Sequence, residues 1–125
     1  MAGKICQRLI HKRWRSYADN LKKVPKDAHE GVYVIGLEEE ARDRVTYLYL
    51  GHSNDIYRRL KEHKYKSLKI DKFIKEQFRK NHGTNLRIKL VLEPKGKLEE
   101  GRYLQCLEKK LGYQLRYNIK RGNCY

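Results

Sequence analysis

The sequence predicts an α/β domain of the α+β kind, a small three-stranded, mainly antiparallel sheet flanked by helices, and three observations predict it. Two short runs, GVYVIGL over 31–37 and RVTYLYL over 44–50, are rich in the β-branched and aromatic residues that strands favour. A third run, over 86–92, alternates Leu86, Ile88, Leu90 and Leu92 with Arg87, Lys89 and Val91, the period of a half-buried strand. The segments around them space their apolar residues as helices do, so the sheet has helices to pack against it.

Taken in order, residues 4–23 place Ile5, Leu9, Tyr17 and Leu21 at near-helical spacing among many Lys and Arg, and Pro25 ends the pattern. This reads as one basic amphipathic helix, an extension covering residues 1–28 ahead of a core over 29–120 within a single domain. The polar loop EEEARD between the first two strands is short enough for an antiparallel hairpin. After Gly51, Ser53 or Asn54 offers a helix cap, Asp55 lies in the first turn, and Ile56 and Leu60 share a face. Ile70, Phe73, Ile74 and Phe78 mark a second helix, and Asn81-His82-Gly83 supplies its stop. Pro94 ends the third strand. Leu104, Leu107 and Leu111 then mark a last helix, ended by Gly112, and the tail that follows is too short and basic to assign.

The chain has 125 residues, the size of one domain with one core. Lys and Arg number 30 against 15 Asp and Glu, a formal charge of +15, which repels itself unless an anionic partner offsets it. Nucleic acid is the leading partner. No apolar run approaches the roughly 20 residues of a spanning helix, and the start lacks a signal peptide's apolar segment. The expectation is a soluble, intracellular protein, cytoplasmic or nuclear, with no membrane partner and no small-molecule cofactor. Cys6, Cys106 and Cys124 form no CxxC pair and are expected as reduced thiols. His11, His29, His52, His63 and His82 show no spacing such as HExxH, which disfavours a transition-metal enzyme.

One set of residues is more specific. Gly31-Val32-Tyr33, Tyr49-Leu50-Gly51, and then Arg59 and His63 resemble, in order and spacing, the GIY, YIG and R-x-x-x-H elements of the GIY-YIG endonucleases. A glutamate on the last helix and Tyr117-Asn118 resemble the remaining family positions, so the likeness runs over 31–118. It implies a GIY-YIG nuclease-like fold, divalent-metal-dependent hydrolysis of phosphodiester bonds in DNA, and Mg²⁺ or Mn²⁺ as the cofactor. The alternative is a binding module with this fold and no catalysis.

The chemistry can be read from the residues as well. Cutting a phosphodiester needs a water, something to take its proton, and cations facing the charge that builds on phosphate oxygens. Tyr33 and Tyr49, on adjacent strands of a hairpin, can converge on one face, and the resemblance implies that one of them orients or deprotonates the water. A tyrosine of pKa near 10 is a poor base unless a neighbour lowers it. Tyr47, on the same face as Tyr49 under strict alternation, reads as sheet packing. Arg59 and His63 share one strip of a helix, and Asp55 one turn earlier can hold Arg59. The Arg59 fork matches two phosphate oxygens and is assigned to transition-state stabilisation. His63 can bind phosphate or orient a tyrosine.

For the metal, the last helix offers Glu99, Glu100 and Glu108, while the family spacing back from Asn118 lands on Cys106. Glu108 lies about 40° from Leu104 on a helical wheel, at the edge of the apolar stripe. Glu100 is on the same side but eight residues, about 12 Å, away along the axis, so only one of the two can reach a single metal. Glu108 is the expected ligand and Glu100 the alternative, with Asn118 holding the local backbone or a phosphate. Expected contacts to nucleic acid are Gly31, Gly51, His52, Arg58, Lys64, Lys66 and Asn118. Lys12, Arg13 and Arg15 beside Trp14, and Lys69, Lys72, Lys75 and Arg79, add phosphate-neutralising charge.

Overall fold

The computed structural model describes residues 2–22, 29–39, 41, 44–92 and 96–118. Its elements run α1 (Ala2–His11), β1 (Arg15–Ser16), α2 (Tyr17–Asn20), β2 (Gly31–Glu39), β3 (Arg44–Ser53), α3 (Ile56–Glu62), α4 (Lys69–Asn81), β4 (Leu86–Leu92) and α5 (Gly96–Leu111). The sheet has four strands in the order β1-β4-β2-β3, and every neighbouring pair is antiparallel. Strand β2 is paired on both sides and covered on both faces, which is why GVYVIG is apolar without interruption and buried throughout.

Two apolar layers sandwich the sheet. On one face Val32, Val34, Tyr47, Leu50 and Val91 meet Cys6 and Leu9 of α1 and Tyr103 and Leu107 of α5. On the other face Tyr33, Ile35, Leu86 and Ile88 meet Tyr17, Ile56, Leu60, Ile70 and Ile74, from α2, α3 and α4. This division explains the first departure from expectation, a single helix over residues 4–23. Leu9 belongs to one face of the sheet and Tyr17 to the other, so no straight helix can bury both. The chain leaves α1 at His11 and crosses the sheet edge as the extended pair Arg15–Ser16, which is the fourth strand. It turns into α2 with the Ser16 hydroxyl accepting the Asp19 N–H at 3.2 Å. Nor is this segment an appendage: Leu9 is fully buried, and the buried Lys89 ammonium of β4 donates to the Ile10 carbonyl at 2.9 Å.

The second departure concerns cysteine. Cys6 and Cys106 are not reduced thiols but form a disulfide that ties α1 to α5, with Cα atoms 6.1 Å apart. The third lies in β3, where the register slips opposite Ile35 and Gly36, so that Ile35 faces Tyr49 and Gly36 faces Tyr47. Leu48 is the extra residue of a bulge, and it turns Tyr47 and Tyr49 to opposite faces, where strict alternation puts them together. The helix cap is Asp55, not Ser53 or Asn54, since its carboxylate accepts the Arg58 N–H at 3.3 Å. The stop after α4 is as expected, with His82 in the left-handed region.

The tail that the sequence left unassigned closes the outer edge of β3. The Tyr47 N–H donates to the Tyr113 hydroxyl at 3.0 Å, and the Tyr117 N–H donates to the bulge carbonyl of Leu48 at 3.0 Å. An open edge invites pairing with another chain, and here the protein's own C-terminal segment blocks it.

Candidate active site

The hairpin brings Tyr33 and Tyr49 to the same face, with ring centroids 6.2 Å apart. The glycine of the second motif makes this possible. A Cβ on Gly51 would lie 2.6 Å from the Tyr33 hydroxyl and 2.8 Å from Cε2 of Tyr49, so only glycine lets both rings stand there. Gly31 likewise has no room for a Cβ, which would meet the Val91 carbonyl and Ile56. Both glycines, expected as contacts for nucleic acid, are buried here and shape the site.

Helix α3 carries Arg59 and ends on His63, whose N–H donates to the Arg59 carbonyl at 3.1 Å. The His63 ring has no solvent exposure and lies between two partners. Its Nε2 is 2.8 Å from the Tyr33 hydroxyl, and its Nδ1 is hydrogen-bonded to the carboxylate of Asp71. Burial drives the His63 pKa down to about 4; the Asp71 bond opposes this and the Arg59 charge adds to it. The ring is therefore neutral at pH 7. With Asp71 accepting the Nδ1 proton, Nε2 is left as the acceptor and the Tyr33 hydroxyl donates to it. Of the two roles expected for His63, the geometry displays the one that orients a tyrosine.

Asp71 is the residue the sequence reasoning passed over. It sits in the first turn of α4, where an acidic residue reads as ordinary helix capping, and its Oδ2 does accept the Leu68 N–H at 2.9 Å. Yet it is completely buried. The signal was its angle: Asp71 lies about 60° from Ile74 on a helical wheel, inside the apolar stripe. A carboxylate there needs a buried partner.

Tyr49 and Arg59 are half-buried above this chain of hydrogen bonds. Tyr49 packs edge-on against His63, ring centroids 5.8 Å apart. Arg59 is not held by Asp55, which is occupied as the α3 cap. Its nearest charge among the described residues is Glu62 at 3.8 Å, and its buried Nη1 makes no hydrogen bond. A guanidinium nitrogen that is shielded from water and lacks an acceptor is a donor waiting for an anionic oxygen.

The other expected residues divide. Asn118 grips the second motif: its Oδ1 accepts the Leu50 N–H at 2.7 Å and its Nδ2 donates to the Leu50 carbonyl at 2.8 Å. Of its two expected roles this is the backbone one, fixing the strand residue between Tyr49 and Gly51. Lys64 and Lys66 are exposed, and Lys64 lies over the Phe78 ring at 4.6 Å. Arg58 is exposed and paired with Glu62 at 3.7 Å. His52 does not join them. It pairs across the strands with Val32, on the α1/α5 face, and its Nε2 contacts Glu30 at 3.0 Å.

Glu108 also lies away from the tyrosines. Helix α5 packs on the opposite face of the sheet, and the Glu108 Oε2 accepts the Leu115 N–H at 2.7 Å, where it fastens the tail. The side chains of Glu99 and Glu100 lie outside the described residues. Among those described, no three His, Cys, Asp or Glu side chains are grouped to hold a metal ion.

No protein-family model, curated protein or solved structure matches the chain. The functional reading rests on the geometry of the tyrosine face. Among the described residues no helix is long and apolar enough to cross a membrane.

Proposed function

We propose that the chain is an endonuclease that hydrolyses phosphodiester bonds in DNA, with a GIY-YIG-like fold and the Tyr33/Tyr49 face as its active site. The observation that carries this reading is the buried run Tyr33–His63–Asp71 beneath Arg59, whose Nη1 has no hydrogen-bond acceptor among the described residues. The His63 imidazole already accepts the Tyr33 hydroxyl at Nε2 with Asp71 behind it. Burial is the main cause holding its pKa down to about 4, and the negative charge of a bound phosphate beside it favours the protonated form it has to reach. In this reading the water gives its proton to the Tyr33 oxygen as the Tyr33 proton passes to Nε2 of His63. Asp71 holds the imidazolium that results, and Arg59 meets the charge on the non-bridging oxygens. Because Tyr33 is buried, the bound strand has to displace its cover, and the half-exposed Tyr49 is the neighbour that yields.

The position of Glu108 away from this face favours a second reading, a nucleic-acid-binding module that does not cut. Incubation with labelled duplex, branched and single-stranded DNA, with Mg²⁺ or Mn²⁺ and with EDTA, separates the two. Endonuclease activity gives defined products that vanish in Tyr33→Phe; the binding module gives retarded complexes and intact DNA.

A further inference from the structure

Beside the tyrosine face, the edge of the sheet carries a cleft of about 620 Å³ whose polar lining is Arg8, His11, Lys12, Arg13, Arg15 and Lys89, with no carboxylate. Its apolar lining is Leu90 and Leu92, and Leu92 is half exposed. We propose that this cleft is a second contact for nucleic acid, one that grips the sugar-phosphate backbone beside the bond to be cut. The proposal rests on the nuclease reading of the tyrosine face for what the contact serves, but the cleft's affinity for nucleic acid stands or falls by itself.

The cleft exists because β1 is only two residues long. Arg15 and Ser16 pair with Ile88 and Arg87, so from Lys89 to Leu92 strand β4 has no strand partner on that side among the described residues. The wall above it is set by Lys89. Its ammonium donates to the Ile10 carbonyl in the last turn of α1 and to the Tyr47 hydroxyl, and it lies over the Trp14 ring at 4.6 Å. Lys89 is thus committed to structure, and it anchors the turn that presents Lys12 and Arg13.

The remaining cations have no such commitment. Arg8, Lys12, Arg13 and Arg15 form no ion pair among the described residues. The C-terminal end of α1 offsets part of this charge, since a helix end is worth about half an elementary charge. Four exposed cations around one cleft exceed that several-fold, and an external anion is the remaining counter-charge. Repeated phosphates suit a row of separate cations, and the leucine floor suits the sugars and bases between them.

The position of the cleft gives it a role. Leu90 is the β4 partner of Tyr33, and Leu92 is the partner of Gly31. The cleft floor is therefore one strand spacing, about 5 Å, from Tyr33 on β2 and two, about 10 Å, from Tyr49 on β3. At about 3.4 Å per step that is roughly one to three base pairs along a duplex. A strand seated in the cleft holds the backbone a few nucleotides to one side of the tyrosines, so the footprint on DNA is asymmetric about the cut.

The test is binding of a fluorescein-labelled 20-base-pair duplex, read by anisotropy across a salt series with EDTA present so that nothing is cut. Arg13→Glu/Arg15→Glu is compared with Lys109→Glu/Lys110→Glu, the same change of charge on the exposed end of α5. The cleft variant is expected to bind at least tenfold more weakly, with the log-log salt slope reduced by about 2, and the α5 variant to stay within threefold. Arg13→Gln/Arg15→Gln, which removes charge without reversing it, is expected to weaken binding in the same direction and guards against loss of fold. In the cleavage assay the cleft variant raises KM and leaves kcat within twofold. Equal losses in the cleft and α5 variants, or competition by poly-glutamate as effective as unlabelled duplex at equal charge, overturns the proposal. A protein that cuts nothing but binds through the cleft leaves this inference standing and removes only the nuclease reading.

Discussion

The hydroxyl of Tyr33 lies 2.8 Å from Nε2 of His63, and both side chains are sealed from solvent. With the Nδ1 proton given to Asp71 and burial disfavouring the charged ring, the Tyr33 hydroxyl donates this bond to a neutral imidazole. The pH dependence of stability follows. The folded His63 titrates near 4 and the unfolded one near 6.5, so between these values the unfolded chain binds a proton that the folded chain refuses. Stability from this group is complete above pH 6.5 and falls as the pH is lowered toward 4, by on the order of 3 kcal/mol. Urea titrations at half-unit steps are expected to show the decline, and His63→Gln is expected to flatten it. An unchanged slope in that variant would mean that other groups carry it.

Asp71→Asn tests the other end of the chain. An amide can donate to Nδ1 as readily as accept from it, so the histidine loses the constraint that leaves Nε2 free. The expected result is a fall in kcat of roughly 100-fold with DNA affinity within severalfold, as for a group that acts on the transition state through its neighbour. Imidazole ¹⁵N chemical shifts provide the readout that a merely structural role would not give. The wild type is expected to hold the Nδ1–H tautomer and the variant to gain Nε2–H.

Which parts of this were legible in the sequence follows from what period-based reading can see. Strands β2, β3 and β4 announce themselves by β-branched and alternating residues, and α3 and α4 by their apolar stripes. Strand β1 could not be seen, because two residues carry no period and their neighbours Leu9 and Tyr17 mimic one helix while burying on opposite faces. The Leu48 bulge was hidden for the same reason: one extra residue reverses the faces without altering the composition. In the site, Tyr33, Tyr49, Arg59 and His63 stood in a recognisable order, whereas Asp71 lay in a position where capping explains an acidic residue just as well. The pairing of Cys6 with Cys106 spans 100 residues and depends on how α1 packs on α5, which spacing does not encode.

That disulfide is expected to stabilise the fold substantially. A bridge closing a loop of this length restricts the unfolded chain strongly, and removal of a native disulfide costs about 2–5 kcal/mol. Dithiothreitol is expected to lower the thermal midpoint, and Cys6→Ser/Cys106→Ser to reproduce the reduced value and to lose any further response to the reductant. Alkylation followed by mass spectrometry checks the pairing directly, since Cys6 and Cys106 should label only after reduction.

Glu108 decides how the metal question is pursued. In the structure its carboxylate serves the Leu115 N–H, and that bond holds the tail whose Tyr117 and Asn118 clasp the edge of β3 beside Tyr49. Glu108→Ala is therefore expected to act through the tail. Loss of a hydrogen bond between a charged group and a buried-side amide costs about 1.5–3 kcal/mol, and hydrogen exchange at Leu50 and Leu115 should rise with it. Glu108→Gln keeps an acceptor oxygen and is expected to lie within about 1 kcal/mol of the wild type. If Glu108 were a metal ligand, the order of effects would differ: Gln and Ala would both abolish metal-dependent cleavage, and Mn²⁺ titration followed by paramagnetic broadening would lose its site in both. The structure predicts instead that Glu108→Gln keeps whatever Mn²⁺ response the wild type has, because the carboxylate sits on the far side of the sheet from Tyr33, Tyr49 and Arg59.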